Sequence, residues 1–172
     1  MNYELLPAQL SASVTALQRE QLVMAIYDDL KATYPTQSKQ ELYNEMGGEW
    51  PTLVDNPNYR NTCAIRLSMA LHGAGYVIAD KYREGMTGDG RAIIIKVKTM
   101  WDYVTETVGQ FTWGMSKNPG TPVDIPAQQG IIVYHAAFSD ATGHFDLWTG
   151  TGFVGSGSLD DVQDGFSLAL WY

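Results

Sequence analysis

The chain has 172 residues, 45 % of them hydrophobic, which is enough for a packed core and excludes a disordered chain. Its formal charge of −8 excludes nucleic acid or an anionic membrane as a general electrostatic partner. It also gives no long-range pull towards an acidic polymer, so such a substrate has to be held by local contacts. Cys63 is the only cysteine, so the fold cannot rest on an internal disulfide.

Met1 to Leu10 shows no basic segment followed by an apolar core, and no apolar run approaches membrane-spanning length. The expectation is synthesis in the cytoplasm, no membrane insertion, and export only by a machine that reads no signal peptide. There is no internal repeat, and residues 1–172 read as one domain.

Residues 12–34 are predicted as a helix with an apolar stripe of Leu22, Ala25, Ile26 and Leu30, ended by Pro35. Ser38 and Glu41 form a capping box that opens a short helix to Met46, and Gly47-Gly48 stops it. Trp50 to Tyr59 is a proline-bearing loop with Trp50 as a packing anchor. Cys63 follows Thr62, a residue with a good N-cap side chain, and Ala64, Leu67, Ser68 and Leu71 mark one face of a helix stopped near Gly73. Tyr76 to Gly90 reads as a glycine-rich surface connector or the rim of a groove.

Further on, Arg91 to Lys98 (RAIIIKVK) is predicted as a strand, Thr99 to Val108 as a helix, and Ser116 to Gln129 as a loop. Gly130 to His135 (GIIVYH) is a buried strand, Ser139 to Gly143 a turn, and His144 to Trp148 an alternating strand. Thr149 to Gly152 suits a hairpin turn with a return strand from Phe153, Gly155 to Gly165 a loop, and Ser167 to Tyr172 a last strand. Helices first and antiparallel strands after give an α+β architecture, N-terminal helices packed on an antiparallel sheet.

A lone cysteine is most often a small buried hydrophobe. A cysteine in the first turn of a helix is different: free N–H groups and the positive dipole end favour the thiolate, the attacking species in nucleophilic catalysis. Such a nucleophile needs an imidazole for its proton and a third polar group to orient the ring. His144, opening a strand after the Gly143 turn, is the preferred base. His135 is a weaker candidate. His72 stands nine residues after Cys63, ~13 Å along a helix, too far to share a proton, and reads as a cation near a helix C-terminus.

Asp146 shares a strand face with His144, but side chains two apart run roughly parallel, which makes direct orientation awkward. Ser156 and Asp160, with Asp161 and Asp164 further off, are the other possibilities, and each acid reads equally well as solvated loop. Trp50, Tyr59 and Trp148 could line a groove, though core packing suits them better. No H-E-x-x-H, C-x-x-C or phosphate-binding glycine loop occurs, so no metal or cofactor is expected.

The block NTCAIRLSMALHGAG around Cys63, the strand GIIVYH and the block DATGHFDLW around His144 resemble, in order, the type VI secretion amidase effectors of family four. The resemblance runs from Tyr34 to Trp148, and the spacing of 81 residues between positions 63 and 144 fits it. It implies a papain-like, NlpC-type cysteine peptidase fold with Cys63 as nucleophile and His144 as base. The implied substrate is the bacterial peptidoglycan stem peptide, cut between D-glutamate and meso-diaminopimelate in a rival cell's periplasm. The implied partners are the type VI secretion apparatus and a cognate immunity protein that plugs the groove.

Family members carry an aspartate about eleven residues past the histidine, often beside a cysteine pair; here that position is Gly155 and no second cysteine exists. The expected third residue is therefore Asp160, reached through a longer loop, with Asp146 as the alternative. The Cys63 N–H is expected to form part of an oxyanion hole. Two rival readings remain: cleavage of the diaminopimelate–D-alanine crosslink by the same site, and a non-enzymatic acidic binding domain with a structural cysteine.

Overall fold

A computed structural model describes residues 15–136 and 142–172. The first part of the predicted 12–34 helix, the residues read for a signal peptide and most of the Ser139–Gly143 turn lie outside the described residues.

The first helix, α1 (Ala16–Thr33), opens on a reciprocal capping box between Thr15 and Gln18. It buries Val23, Ile26, Tyr27 and Leu30, the i, i+3, i+4, i+7 face, while Leu22 is 49 % exposed. The stripe is thus rotated by one position from the predicted one: Val23 and Tyr27 face the core instead of Leu22 and Ala25. Helix α2 (Lys39–Met46) carries the predicted Ser38–Glu41 box. Its end, Gly47-Gly48, has positive φ at both residues and packs so closely on Gly88 that a Cβ there would lie 2.6 Å from the Gly48 nitrogen. The 50–59 loop contains two short 3-10 turns, and Trp50 is the expected anchor, buried edge-on against Tyr43 and Tyr59.

Helix α3 (Cys63–Gly73) is buried from Cys63 to Leu71 except at Arg66. Gly73 is its last residue, not the residue beyond it; a Cβ at Gly73 would meet the Thr33 Cβ at 2.8 Å, so glycine here permits the close approach of α1 and α3. The left-handed residue that ends the turn is Gly75 (φ 85°). The 76–90 connector is less solvated than its composition suggests, since Tyr76, Ile78 and Tyr82 are buried in the main core.

RAIIIKVK does not make the predicted strand. Only Ala92–Ile93 (β2) pairs, with Gly85–Met86 (β1). The following N–H groups are taken by side chains: Ile94 donates to Ser68 Oγ (3.1 Å), and Ile95 and Lys96 donate to the Glu84 carboxylate (2.8 and 2.7 Å). With no ladder to join, the chain turns at Lys96 into α4 (Val97–Thr107).

The main sheet has the order β3-β6-β4-β5, all antiparallel, with β3 Trp113–Ser116, β4 Gly130–His135, β5 His144–Trp148 and β6 Ser167–Trp171. One face (Ile131, Val133, Phe145, Leu147, Ala169, Trp171) packs on α1, α3 and α4. The other face (Ile132, Tyr134, Trp148, Leu168, Leu170) is closed by Ile125 and by Val162 of α5 (Leu159–Asp164). The predicted return strand after Trp148 shrinks to one bridge with Phe153, and the 155–165 loop contains α5. The consequence for the site is that β5 is an edge strand, and α3 lies against that edge.

Candidate active site

Cys63 is the first residue of α3, and the residues before it fix that start. Thr62 holds the N-cap position without capping; its hydroxyl instead accepts from Arg66 Nε (3.1 Å). Arg66 also donates to the Pro35 carbonyl (2.9 Å), which ties the helix start to the end of α1. The capping is done by Asn61, whose Oδ1 accepts the Cys63 N–H (3.0 Å) while Nδ2 donates to the Gly143 carbonyl (3.4 Å). One amide thus spans the helix start and the residue before His144. Asn61 was legible only as part of the NTC block. The N–H expected at an oxyanion is therefore already engaged by this side chain.

His144 opens β5 opposite Tyr134, whose ring lies tilted against the imidazole with centroids 5.3 Å apart. The His144 ring stands close enough to Cys63 for the two groups to interact, and through Nε2 it bonds Asp146 Oδ2 at 3.2 Å. That leaves Nδ1 as the nitrogen for Cys63. Burial alone would lower the ring's pKa; the hydrogen bonds and charges of Asp146 and Cys63 outweigh it and hold the ring at about 9. The imidazole is therefore protonated at neutral pH.

Asp146 is completely buried, and both oxygens are filled. Oδ1 accepts the N–H groups of Leu147 and Gly155, each at 2.7 Å; Oδ2 accepts the Gly157 N–H at 2.9 Å as well as the His144 ring. Three backbone donors and an imidazolium satisfy a carboxylate that would otherwise be costly to bury. The glycines are a steric requirement: a Cβ on Gly155 would stand 2.9 Å from both Asp146 oxygens, and one on Gly157 would meet the Phe153 ring at 2.6 Å. The Tyr34 hydroxyl closes the same corner, its pKa pushed well up by burial and then by the Asp146 and Cys63 charges.

The structure therefore brings Cys63, His144 and Asp146 together and leaves Asp160 out. Asp160 is exposed in the first turn of α5, where a carboxylate complements the helix dipole, and it makes no hydrogen bond to His144. The preference for Asp160 over Asp146 is corrected on geometric grounds. The hairpin after Trp148 folds back onto Asp146, and its N–H groups turn that carboxylate towards the ring. Ser156 and Asp161 line the cleft beside His144, while Asp164 is exposed. Trp148 and Trp50 are core residues, their indoles donating to Pro126 and Met86 carbonyls. Tyr59 is half-buried.

The other histidines stand apart. His72 Nε2 lies 2.6 Å from the Ala92 carbonyl, and burial lowers its pKa, so it is a neutral donor rather than the expected cation. His135 bonds Ser167 and lines a separate cavity of about 340 Å³ with Trp101 and Phe111. His144, beside the buried Cys63, opens instead into a smaller cleft of about 210 Å³ that Arg60, Asn61, Thr62, Ser156 and Asp161 also line.

A profile of the type VI secretion system amidase effector protein 4 family, Tae4, matches residues 59–171. The chain belongs to this family.

The matched segment contains Cys63, His144 and Asp146. Among solved structures, Tae4 from Salmonella typhimurium, in complex with the immunity protein Tai4 from Enterobacter cloacae, is similar at a TM-score of 0.71 and 25 % identity. That match covers 84 % of this chain and 96 % of the other. The Tae4 of the Tae4–Tai4 complex from Enterobacter cloacae is similar at 0.68 and 24 % identity over 87 % and 96 %. Unbound Tae4 from Enterobacter cloacae is similar at 0.67 and 23 % over 87 % and 94 %. No curated protein sequence matches significantly. The fold is the papain-like, NlpC-type α+β arrangement expected for the Tae4 family. No helix among the described residues is long and apolar enough to cross a membrane.

Proposed function

We propose that the chain is a cysteine-dependent peptidoglycan amidase that cuts stem peptides between D-glutamate and meso-diaminopimelate. The observation that carries this reading is the array of Cys63, His144 and Asp146 at the start of α3, with His144 open to a cleft. With the proton already on the His144 ring, the Cys63 thiolate attacks the amide carbonyl carbon of D-glutamate. The oxyanion develops against the positive end of α3. His144 then protonates the departing nitrogen, the C–N bond breaks, and a thioester remains. Water, giving a proton to His144, attacks the thioester and releases the acid, and the thiolate leaves beside the protonated ring. Asp146 acts as the positioning residue that holds the ring and its charge. Residues 1–172 work as one domain in this scheme.

The family assignment supports delivery by type VI secretion into the periplasm of a target cell. Solved relatives are effector–immunity complexes, which supports a cognate immunity protein that covers the cleft of this chain. The test is a digest of purified sacculi by wild type and Cys63→Ala under reducing conditions, with products read by mass spectrometry. Fragments ending at D-glutamate from the wild type alone are expected. Fragments cut at the diaminopimelate–D-alanine crosslink would move the bond. No cleavage by either protein would reject the reading.

A further inference from the structure

Of the five arginines in the sequence, four have partners: Arg19 on the Gln110 carbonyl, Arg66 on Thr62 and Pro35, Arg83 on Asp80, and Arg91 on Asp89. Arg60 alone has no side-chain hydrogen bond or ion pair among the described residues, and it is exposed on the wall of the cleft that holds His144. Asp161 lines the same cleft, and among the described residues its carboxylate has a single long bond, from the Tyr134 hydroxyl (3.4 Å). Opposite charges thus face the same cleft of about 210 Å³ without pairing with each other. In a chain of charge −8 a free guanidinium beside the nucleophile stands out, because any anionic group of a substrate is otherwise repelled.

The positions have a polarity. Arg60 lies three residues before Cys63, on the loop that enters α3, and so flanks the acyl side of a bond attacked by the thiolate. Asp161 touches Tyr134, whose ring lies on His144, and so flanks the side on which the amine leaves. We infer that Arg60 and Asp161 read the charges on either side of the scissile bond. Arg60 pairs with a free carboxylate on the acyl-side residue, and Asp161 with an ammonium on the amine-side residue. This rests on the amidase reading above. A glutamate linked through its side chain leaves its α-carboxylate free, and a diaminopimelate linked through one amine keeps the other. A guanidinium fork matches the first and a carboxylate the second.

The experiment compares kcat/KM on three soluble stem peptides: the free acid, its glutamate α-carboxamide, and a peptide acetylated on the terminal diaminopimelate amine. The wild type prefers the free acid to the carboxamide by about 10- to 100-fold, the range of one charge-assisted hydrogen bond. Arg60→Gln brings that ratio close to one, and Arg60→Lys restores part of it. Asp161→Asn likewise collapses the preference for the free over the acetylated amine. An Arg60→Gln protein of unchanged melting temperature that keeps the wild-type ratio overturns the assignment. Binding of the same peptides to Cys63→Ala, with and without Arg60→Gln, is read by calorimetry in parallel. If the wild type cuts none of them, the amidase reading fails. The binding arm then still decides: selective binding of the free acid that depends on Arg60 supports the charge reading, and equal or absent binding overturns it.

Discussion

Replacing Asp146 by asparagine keeps the shape of the buried group and removes one acceptor oxygen. In the native protein that carboxylate accepts four bonds, two on each oxygen. The least costly rotamer keeps oxygen towards the 2.7 Å bonds from Leu147 and Gly155 and turns the new NH2 towards Gly157 and His144. The Gly157 N–H then faces a donor, and the other two N–H groups lose a charged acceptor. At ~1–3 kcal/mol for a buried donor left unsatisfied, the expected loss is about 2–4 kcal/mol. Against a total stability of roughly 5–15 kcal/mol this is survivable. Catalysis suffers more. Nε2 must now accept from the asparagine NH2, so a neutral ring carries its proton on Nδ1, facing Cys63, and the imidazolium that accompanies the thiolate no longer forms. Turnover should fall on the order of 10³-fold or more, as expected for a wrong tautomer.

The assay is peptide turnover together with urea unfolding across pH. Because the folded His144 pKa, about 9, lies above its ordinary 6.5, its stabilising contribution is complete below pH 6.5 and is lost as pH rises through about 9. The stability gap between wild type and Asp146→Asn should therefore narrow over that interval. Wild-type turnover in a folded Asp146→Asn protein would refute the relay.

Other outcomes follow from the same geometry. In the wild type kcat/KM should fall above pH about 9, as His144 gives up its proton, and a pH–rate profile flat to higher pH would contradict a protonated ring as the working form. Gly155→Ala places a methyl group 2.9 Å from both Asp146 oxygens and the Tyr34 hydroxyl; stability should drop by ~1–3 kcal/mol in urea, and turnover by at least about tenfold. Asp160→Asn should leave turnover within about twofold and cost at most ~1 kcal/mol, the worth of a charge at a helix N-terminus, as checked by the same two assays.

What could be read along the chain is what depends on near neighbours. The Ser38–Glu41 box, the buried face of α3, GIIVYH and HFDLW all formed at their predicted places because side-chain periodicity and capping are local properties. Cys63 at a helix start and His144 at a strand start were legible for that reason. The family blocks around them were legible too. Where the reading failed, a distant group had taken backbone donors. Glu84 and Ser68 took those of Ile94, Ile95 and Lys96, so RAIIIKVK did not become a strand. Asp146 took those of Gly155 and Gly157, so the return strand became a wrap around a carboxylate.

That second exchange also decided the third member of the relay. By composition Asp146, Asp160, Asp161 and Asp164 are alike. Only folding placed one of them under three N–H groups with no Cβ in the way, at full burial, with its remaining valence aimed at His144. The one-residue rotation of α1 has the same origin: several apolar stripes fit its sequence, and the surfaces of α3 and the sheet selected one. The sequence by itself thus determined most of the elements and the places of Cys63 at a helix start and His144 at a strand start. The tertiary structure alone decided which carboxylate meets His144, because burial of a charge is settled by which donors can surround it.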